Sequence, residues 1–209
     1  LHGRSAGDRP RATLDGGYGA FATRQAGVGF ERPLPGRQGL SARVSYAGSQ
    51  GNFPYLDINR TPLESSDDQT RRRGNNDYER LMAHSRLDLR HGKWRSAWQL
   101  FAFWKEQGIP GPASWKAIDA EETSLETRDL RMLGSLRRPG LGRPGGRARL
   151  VWGLGAQGRR FRDPAGELAV EDDERFLGVD TYLSPRLRVP LWSGAFLGLT
   201  ADHRFEWVR

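Results

Sequence analysis

The chain has 209 residues, a formal net charge of +8 and 28 % charged residues. A mean hydropathy of −0.70 excludes a bundle of membrane-spanning helices, since no apolar run reaches the ~18 residues that such a helix needs. The absence of cysteine excludes disulfides and thiolate metal sites, while seven Trp, nine Phe and five Tyr are too many for plain disorder. The arginines alternate with apolar residues instead of clustering, so we expect no nucleic-acid partner; DNA binding with a steep salt dependence would contradict this.

Apolar and polar residues alternate with a period of two along most of the chain, which is typical of β-strands. The clearest window is 147–157, where Ala148, Leu150, Trp152 and Leu154 alternate with small or polar residues. Helical spacing does not hold over a full window, so the sequence predicts an all-β fold. In chain order we expect nine long strands, at about 11–19, 22–32, 39–50, 76–91, 94–106, 121–138, 146–160, 172–189 and 194–208.

The connections between these strands alternate in length. Short joints at 33–39, 90–93, 138–146 and 189–194 take turns with long polar ones at 51–76, 106–122 and 160–174; only the first joint, near Ala20, breaks the rule. Short turns at one end and long loops at the other are typical of outer-membrane barrels, and most of the strands exceed the ~5–6 residues usual in soluble sheets. The pattern therefore predicts an antiparallel, up-and-down transmembrane β-barrel segment in the cell outer membrane, with 51–76 as an extracellular loop.

Two tryptophans support a membrane-sized span. Trp94 and Trp104 share one face of one predicted strand, and ten residues of a strand tilted by about 40–45° cover roughly 23–25 Å, the height of the apolar band of such barrels. We therefore predict that both are membrane-interface aromatics. The alternative is that they pack in the core of a soluble β-sandwich, a surface-binding or adhesin-like module.

Several segments resemble one family. "GYGAFATRQAGVGFERPL", "GLSARVSYAGSQGNFPYLDINRTPLESSDDQTRRRGNNDYERL", "WQLFAFWKEQGIPGPAS" and "RRFRDPAGEL" resemble the N-terminal part of the barrel in bacterial TonB-dependent outer-membrane receptors. The loop "NFPYLD…N-x-T-P-L", the following "R-R-x-N-N-D" and "QGIPGP" are the most particular pieces. The similarity covers most of 11–209.

The resemblance implies a barrel of about 22 strands around a plug domain, which imports a scarce nutrient such as a ferric siderophore or another chelate. With about nine strands and neither a plug nor a TonB-binding segment, the chain is expected to be a fragment: 1–10 a linker that follows an absent plug domain, 11–209 a partial barrel. The implied partners are outer-membrane lipid and lipopolysaccharide, the small-molecule nutrient, and, through regions absent here, the plug and TonB. We expect no cofactor and no enzyme activity, because the four histidines show no metal spacing and no nucleophile motif is present.

The candidate binding residues lie in the predicted extracellular loops. Apolar groups on polar loops either line a ligand vestibule or pack the loops on one another, and the densest basic run either contacts an anionic ligand or is a solvated loop base. We assign these residues to ligand binding: Phe53, Tyr55, Arg71, Arg72, Arg73 and Trp115.

We predict no metal site. The strongest candidate is a calcium loop formed by Asp57, Asn59, Asp67 and Asp68. Arg60 and Thr61 interrupt the spacing that an EF-hand loop requires, so a solvated loop with Asx turns is the preferred interpretation.

Overall fold

The structure is a computed structural model that describes residues 9–36, 38–58, 63, 65–110, 122–142, 145–164, 166, 172–192 and 194–209. Residues 1–8, within the predicted linker, lie outside the described part. The described chain is all-β apart from two one-turn 3-10 segments, Ala20–Ala22 and Ser65–Asp67. Its strands are β1 (Arg11–Gly19), β2 (Thr23–Leu34), β3 (Gln38–Ser49), β4 (Pro54–Asp57), β5 (Gln69–Arg72), β6 (Tyr78–His91), β7 (Trp94–Gly108), β8 (Ser124–Pro139), β9 (Arg147–Asp163), β10 (Asp172–Trp192), β11 (Ala195–Thr200) and β12 (His203–Val208).

Ten of these strands form one antiparallel meander. The order across the sheet is β1-β2-β3-β6-β7-β8-β9-β10-β11, and β12 pairs with the other half of β10 beside β11. The prediction of an all-β, up-and-down antiparallel sheet of long strands is confirmed. The sheet is open: β1 forms one edge and β11 with β12 the other, and the described strands do not close into a barrel.

The sheet is a single layer. A compact protein of 23.5 kDa would expose about 9,800 Å² by the usual surface scaling, whereas this chain exposes 14,930 Å². Among the described residues Ala47 alone is both hydrophobic and buried. The fold therefore lacks the inter-layer core that stabilises a soluble β-sandwich.

The two faces of the sheet differ sharply. Directly opposed residues on neighbouring strands lie on the same face of the sheet. The register therefore identifies, on every strand, the residues that share the face of Trp98. This apolar face is made of large hydrophobic side chains in its central rows and has charged residues at both ends. Its central members include Leu14, Val28, Val44, Leu81, Leu87, Trp98, Leu100, Leu130, Met132, Trp152, Leu154, Val179, Leu183, Leu197 and Phe205.

We call the central rows of the apolar face the apolar band. On β8 the band runs between Arg128 and Arg138, and on β2 between Arg24 and Arg32, with no Asp, Glu, Lys or Arg in between on that face. His203 on β12 and a few hydroxyl groups are its polar interruptions. The opposite face, here called the polar face, carries charged residues such as Asp15 and Arg43.

No helix in the described part of the chain is long and apolar enough to cross a membrane.

Candidate functional site

The long connections gather at one end of the sheet, here called the long-loop end. The joints after β3, β7 and β9 lie there, as does the short 3-10 turn between β1 and β2. The joints after β2, β6, β8 and β10 lie at the opposite end, the short-turn end. The long connections predicted from the sequence therefore lie at one end of the sheet and the short ones at the other, with the turn between β1 and β2 as the exception.

The joint between β3 and β6 contains a small hairpin, β4–β5, that the sequence did not predict. Register places Tyr55 opposite Arg71 and Pro54 opposite Arg72. The guanidinium of Arg73 lies 5.6 Å from the centre of the Tyr55 ring, and the Arg73 amide donates to the Phe53 carbonyl at 3.0 Å. The hairpin thus brings together five of the six predicted ligand-binding residues. Trp115 lies outside the described residues.

The hairpin is attached to the turn between β1 and β2. Phe53 packs edge-on against Phe21, with ring centroids 6.3 Å apart, and the Gln50 amide donates to the Phe21 carbonyl at 3.0 Å. Phe21 adopts φ = 56°, a left-handed conformation that costs a non-glycine residue about 1–2 kcal/mol. These contacts stabilise Phe21 in that conformation. They also attach the long loop after β3 to the short turn between β1 and β2.

Asn75 joins two long connections at their bases. Its side-chain Nδ2 donates to the carbonyl oxygens of Ile109 at 3.1 Å and Thr123 at 2.7 Å, and its own φ is 45°. Thr123, fully buried, in turn donates to Asp163 Oδ1 at 3.1 Å. This Asn75 clasp ties the loop after β3, the two ends of the loop after β7 and the end of β9 into one polar network.

The calcium candidate is not assembled as a metal site. The Asp57 carboxylate is buried and pairs with Arg71 at 3.1 Å, so a guanidinium occupies the position that a cation would take. Asn59 lies outside the described residues. Across the described part of the chain, no cluster of three or more His, Asp or Glu side chains is placed to hold a metal.

The two predicted interface tryptophans lie at opposite ends of the apolar band. Trp104 is at the long-loop end, where its Nε1 donates to Glu126 Oε1 at 2.9 Å. Trp94 is at the short-turn end, beneath the guanidinium of Arg138 at 5.2 Å from its ring centre. The N–H of Trp104 and then the Arg128 guanidinium lower the pKa of Glu126, which lies beyond the apolar band. Each tryptophan therefore has an apolar body on the band and a polar partner at its edge.

The polar face carries an arginine row that single-strand patterns cannot reveal. Five arginines stand directly opposite one another on consecutive strands near the short-turn end: Arg90, Arg95, Arg137, Arg149 and Arg186. Like charges directly opposed across strands destabilise a sheet. Within the described part of the chain no ion pair joins any of the five to a carboxylate.

The fold defines a class: an all-β protein made of one open antiparallel meander with an exposed apolar face. Comparison of the sequence with protein-family models and with curated proteins finds no match in either.

Proposed function

We propose that this chain forms part of the barrel wall and extracellular loops of a TonB-dependent outer-membrane receptor, which binds and imports a scarce nutrient such as a ferric siderophore or another chelate. The observation that carries the proposal is the apolar band: a wide apolar surface, open to its surroundings, with charged residues on most strands at the long-loop end and Arg32 and Arg138 at the short-turn end. Large hydrophobic side chains on it are substantially exposed, such as Leu130 at 52 % and Leu154 at 50 %. Soluble monomers rarely expose contiguous apolar patches beyond a few hundred Å².

The height of the band supports a lipid bilayer as its surroundings. Arg128 and Arg138 bound it on β8, ten residues apart. At about 3.3 Å per residue and a tilt of about 40–45°, this distance corresponds to roughly 23–25 Å across the membrane. Trp94 and Trp104, at the two edges of the band, would then form part of the aromatic girdles.

The two open edges set a requirement for the proposal. Unpaired backbone groups are costly in lipid, so a membrane sheet must close on itself. Additional strands must therefore pair with β1 and with β11–β12 in the functional protein. Once the sheet is closed with the apolar face outward, the polar face lines the interior, and the long-loop end carries the β4–β5 hairpin at the mouth.

Nutrient binding is assigned to the long-loop end. The β4–β5 hairpin and its flanking residues carry two aromatic rings and three guanidinium groups, one of which, that of Arg71, already pairs with Asp57. Aromatic rings and guanidinium groups suit a ligand with flat apolar and anionic parts. The class of ligand itself comes from the family resemblance.

The orientation of the faces can be tested with single cysteines, because the chain has none of its own. Leu154→Cys places an environment-sensitive fluorophore on the apolar band, and Gln157→Cys, on the same strand, places it on the polar face. In lipid vesicles that hold the closed barrel, with the strands that pair with β1 and β11–β12 present, the Leu154→Cys label should show blue-shifted emission that lipids with quenchers in the acyl chains reduce, while the Gln157→Cys label should not. Equal, water-like emission from both labels would refute the proposal and favour a soluble surface-binding module.

A further inference from the structure

The arginine row is the centre of a wider cationic surface on the polar face. All five of its members are exposed. One row nearer the short-turn end, Arg147 on β9 stands directly opposite Arg188 on β10. Each of these two residues is two positions from a member of the arginine row, so its side chain points to the same face. Seven guanidinium groups therefore lie in two adjacent rows of the sheet.

Two carboxylates lie near the arginine row, and both already accept hydrogen bonds. Asp88 accepts from Arg86 Nε at 2.7 Å and from its Nη2 at 2.8 Å. Asp202 accepts from the Tyr182 hydroxyl at 3.2 Å, and it also attracts Arg186 electrostatically. In the described part of the chain the cationic surface therefore keeps most of its charge uncompensated, and directly opposed like charges destabilise a sheet.

The arginine row is a line and not a cluster. It contributes one guanidinium group from each of five consecutive strands, β6 to β10. Neighbouring strands lie about 4.8 Å apart, so the row extends about 19 Å across the sheet. A compact anion would reach only part of this line. A linear anion with one charge on each repeating unit, and units about as long as the strand spacing, would engage all of it.

Sugar chains match this spacing better than condensed phosphates do. One pyranose unit is about as long as the distance between strands, whereas the charges of a phosphate chain are closer together. A guanidinium group binds a carboxylate through two parallel hydrogen bonds, and its remaining N–H groups can donate to sugar hydroxyls. The arrangement therefore favours a chain of acidic sugars with one carboxylate on each unit.

We propose that the arginine row binds an acidic oligosaccharide of the uronate type, laid across the strands with one carboxylate at each arginine. Binding would relieve the repulsion between the opposed guanidinium groups. The role of this ligand as cargo rests on the proposed function, which puts the polar face inside the barrel. The inference goes beyond that function, because it assigns a second class of ligand to a site at the short-turn end, away from the β4–β5 hairpin.

The test measures, by titration calorimetry, how galacturonate oligomers of one, three and five units bind to the closed barrel in nanodiscs. We expect the affinity to rise about a hundredfold or more from the monomer to the pentamer, since linked contacts act at a high effective concentration. Arg137→Gln with Arg149→Gln removes two adjacent charges of the row and should weaken binding of the pentamer about tenfold or more, the loss expected for hydrogen bonds to charged groups.

The matched control removes the same charge from the same face at the other end of the sheet. Arg80 stands opposite Lys105, and Arg159 stands opposite Thr127; both arginines are exposed and lie on the polar face near the long-loop end. Arg80→Gln with Arg159→Gln should weaken binding of the pentamer by less than about twofold, because charges more than a Debye length from the ligand are screened.

Each outcome decides the inference. Equal affinity for monomer and pentamer, or an equal loss in the control pair, would overturn it. Tripolyphosphate or a single-stranded oligonucleotide bound as tightly as the pentamer would overturn the assignment to an acidic sugar. The Leu154→Cys label, measured in the same nanodiscs, separates the two proposals. A lipid-buried label without binding of the pentamer removes this site alone, whereas a water-exposed label with length-dependent binding removes the membrane barrel and keeps the site.

Discussion

Substituting arginine for Leu154 should separate a membrane sheet from a soluble one by the size of its effect. Leu154 lies in the middle of the apolar band, opposite Met132 on β8 and Thr181 on β10, and half of its surface is already exposed. If water covered this face, the loss of the remaining buried half would cost at most about 1 kcal/mol. If lipid covers it, a charge near mid-membrane costs about 2–4 kcal/mol. We therefore expect the free energy of unfolding of the closed barrel in vesicles to fall by about 2–4 kcal/mol, measured by urea titration of tryptophan emission.

The control for this prediction lies on the same strand. Gln157 faces the polar side, opposite Asp129 and Gly178, so Gln157→Arg gains a nearby carboxylate and should change the free energy of unfolding by less than about 0.5 kcal/mol. Equal small effects of both substitutions would refute the assignment of the faces. A larger effect for Gln157→Arg than for Leu154→Arg would reverse it.

Three further predictions concern the sheet itself. Arg137→Gln removes a charge directly opposed to Arg95 and Arg149, so it should raise the free energy of unfolding by up to about 1 kcal/mol at low salt, and this gain should disappear near 1 M salt. Arg131 instead pairs with Asp129, so the control Arg131→Gln should give no gain. A gain in the control would contradict the repulsion argument. Asn75→Ala leaves the Ile109 carbonyl without its Asn75 donor and removes one of the two donors to the Thr123 carbonyl, which still accepts from the Ile109 amide at 3.0 Å, and should cost about 1–3 kcal/mol in chemical denaturation. Asn75→Gly should recover about 1 kcal/mol by relieving the left-handed backbone, and identical losses would show that the backbone conformation carries no cost. The rings of Trp98 and Trp152 pack edge to face over Gly134, with their centroids 5.2 Å apart, and a Cβ added at Gly134 would lie 2.2 Å from the Trp152 ring. Gly134→Ala should therefore weaken the near-ultraviolet circular dichroism of this aromatic pair. An unaltered spectrum would mean that the rings do not interact.

Much of the fold could be predicted because a long strand repeats its signal many times. The strand expected at 76–91 is β6, Tyr78–His91, and that expected at 94–106 is β7, Trp94–Gly108. The last expected strand, 194–208, is divided into β11 and β12 by the two residues between Thr200 and His203. A two-residue break leaves the alternation in phase, so a pattern of period two does not detect it.

The features that escaped prediction depend on information outside any one strand. The four-residue strands β4 and β5 are too short for their alternation to stand out from a polar loop. The row from Arg90 to Arg186 exists only because of the register between strands, which turn lengths and packing determine. The Asn75 clasp was visible only as part of a segment rich in asparagine, since its two acceptors lie far along the chain.

The uninterrupted pairing from β1 to the middle of β10 also governs which changes of length the protein can tolerate. Among the described strands of this sheet, the register shifts only between Pro190 and Trp192, near the end of β10. One residue inserted into β8 would exchange the two faces for the rest of that strand and move Asp129 or Arg131 into the apolar row. Two inserted residues would keep the faces but displace Arg128 from the edge of the band by about 6–7 Å. Changes of length are therefore easiest in those parts of the long connections that lie outside the β4–β5 hairpin and the Asn75 clasp, while each strand can change only in pairs of residues and only together with its neighbours.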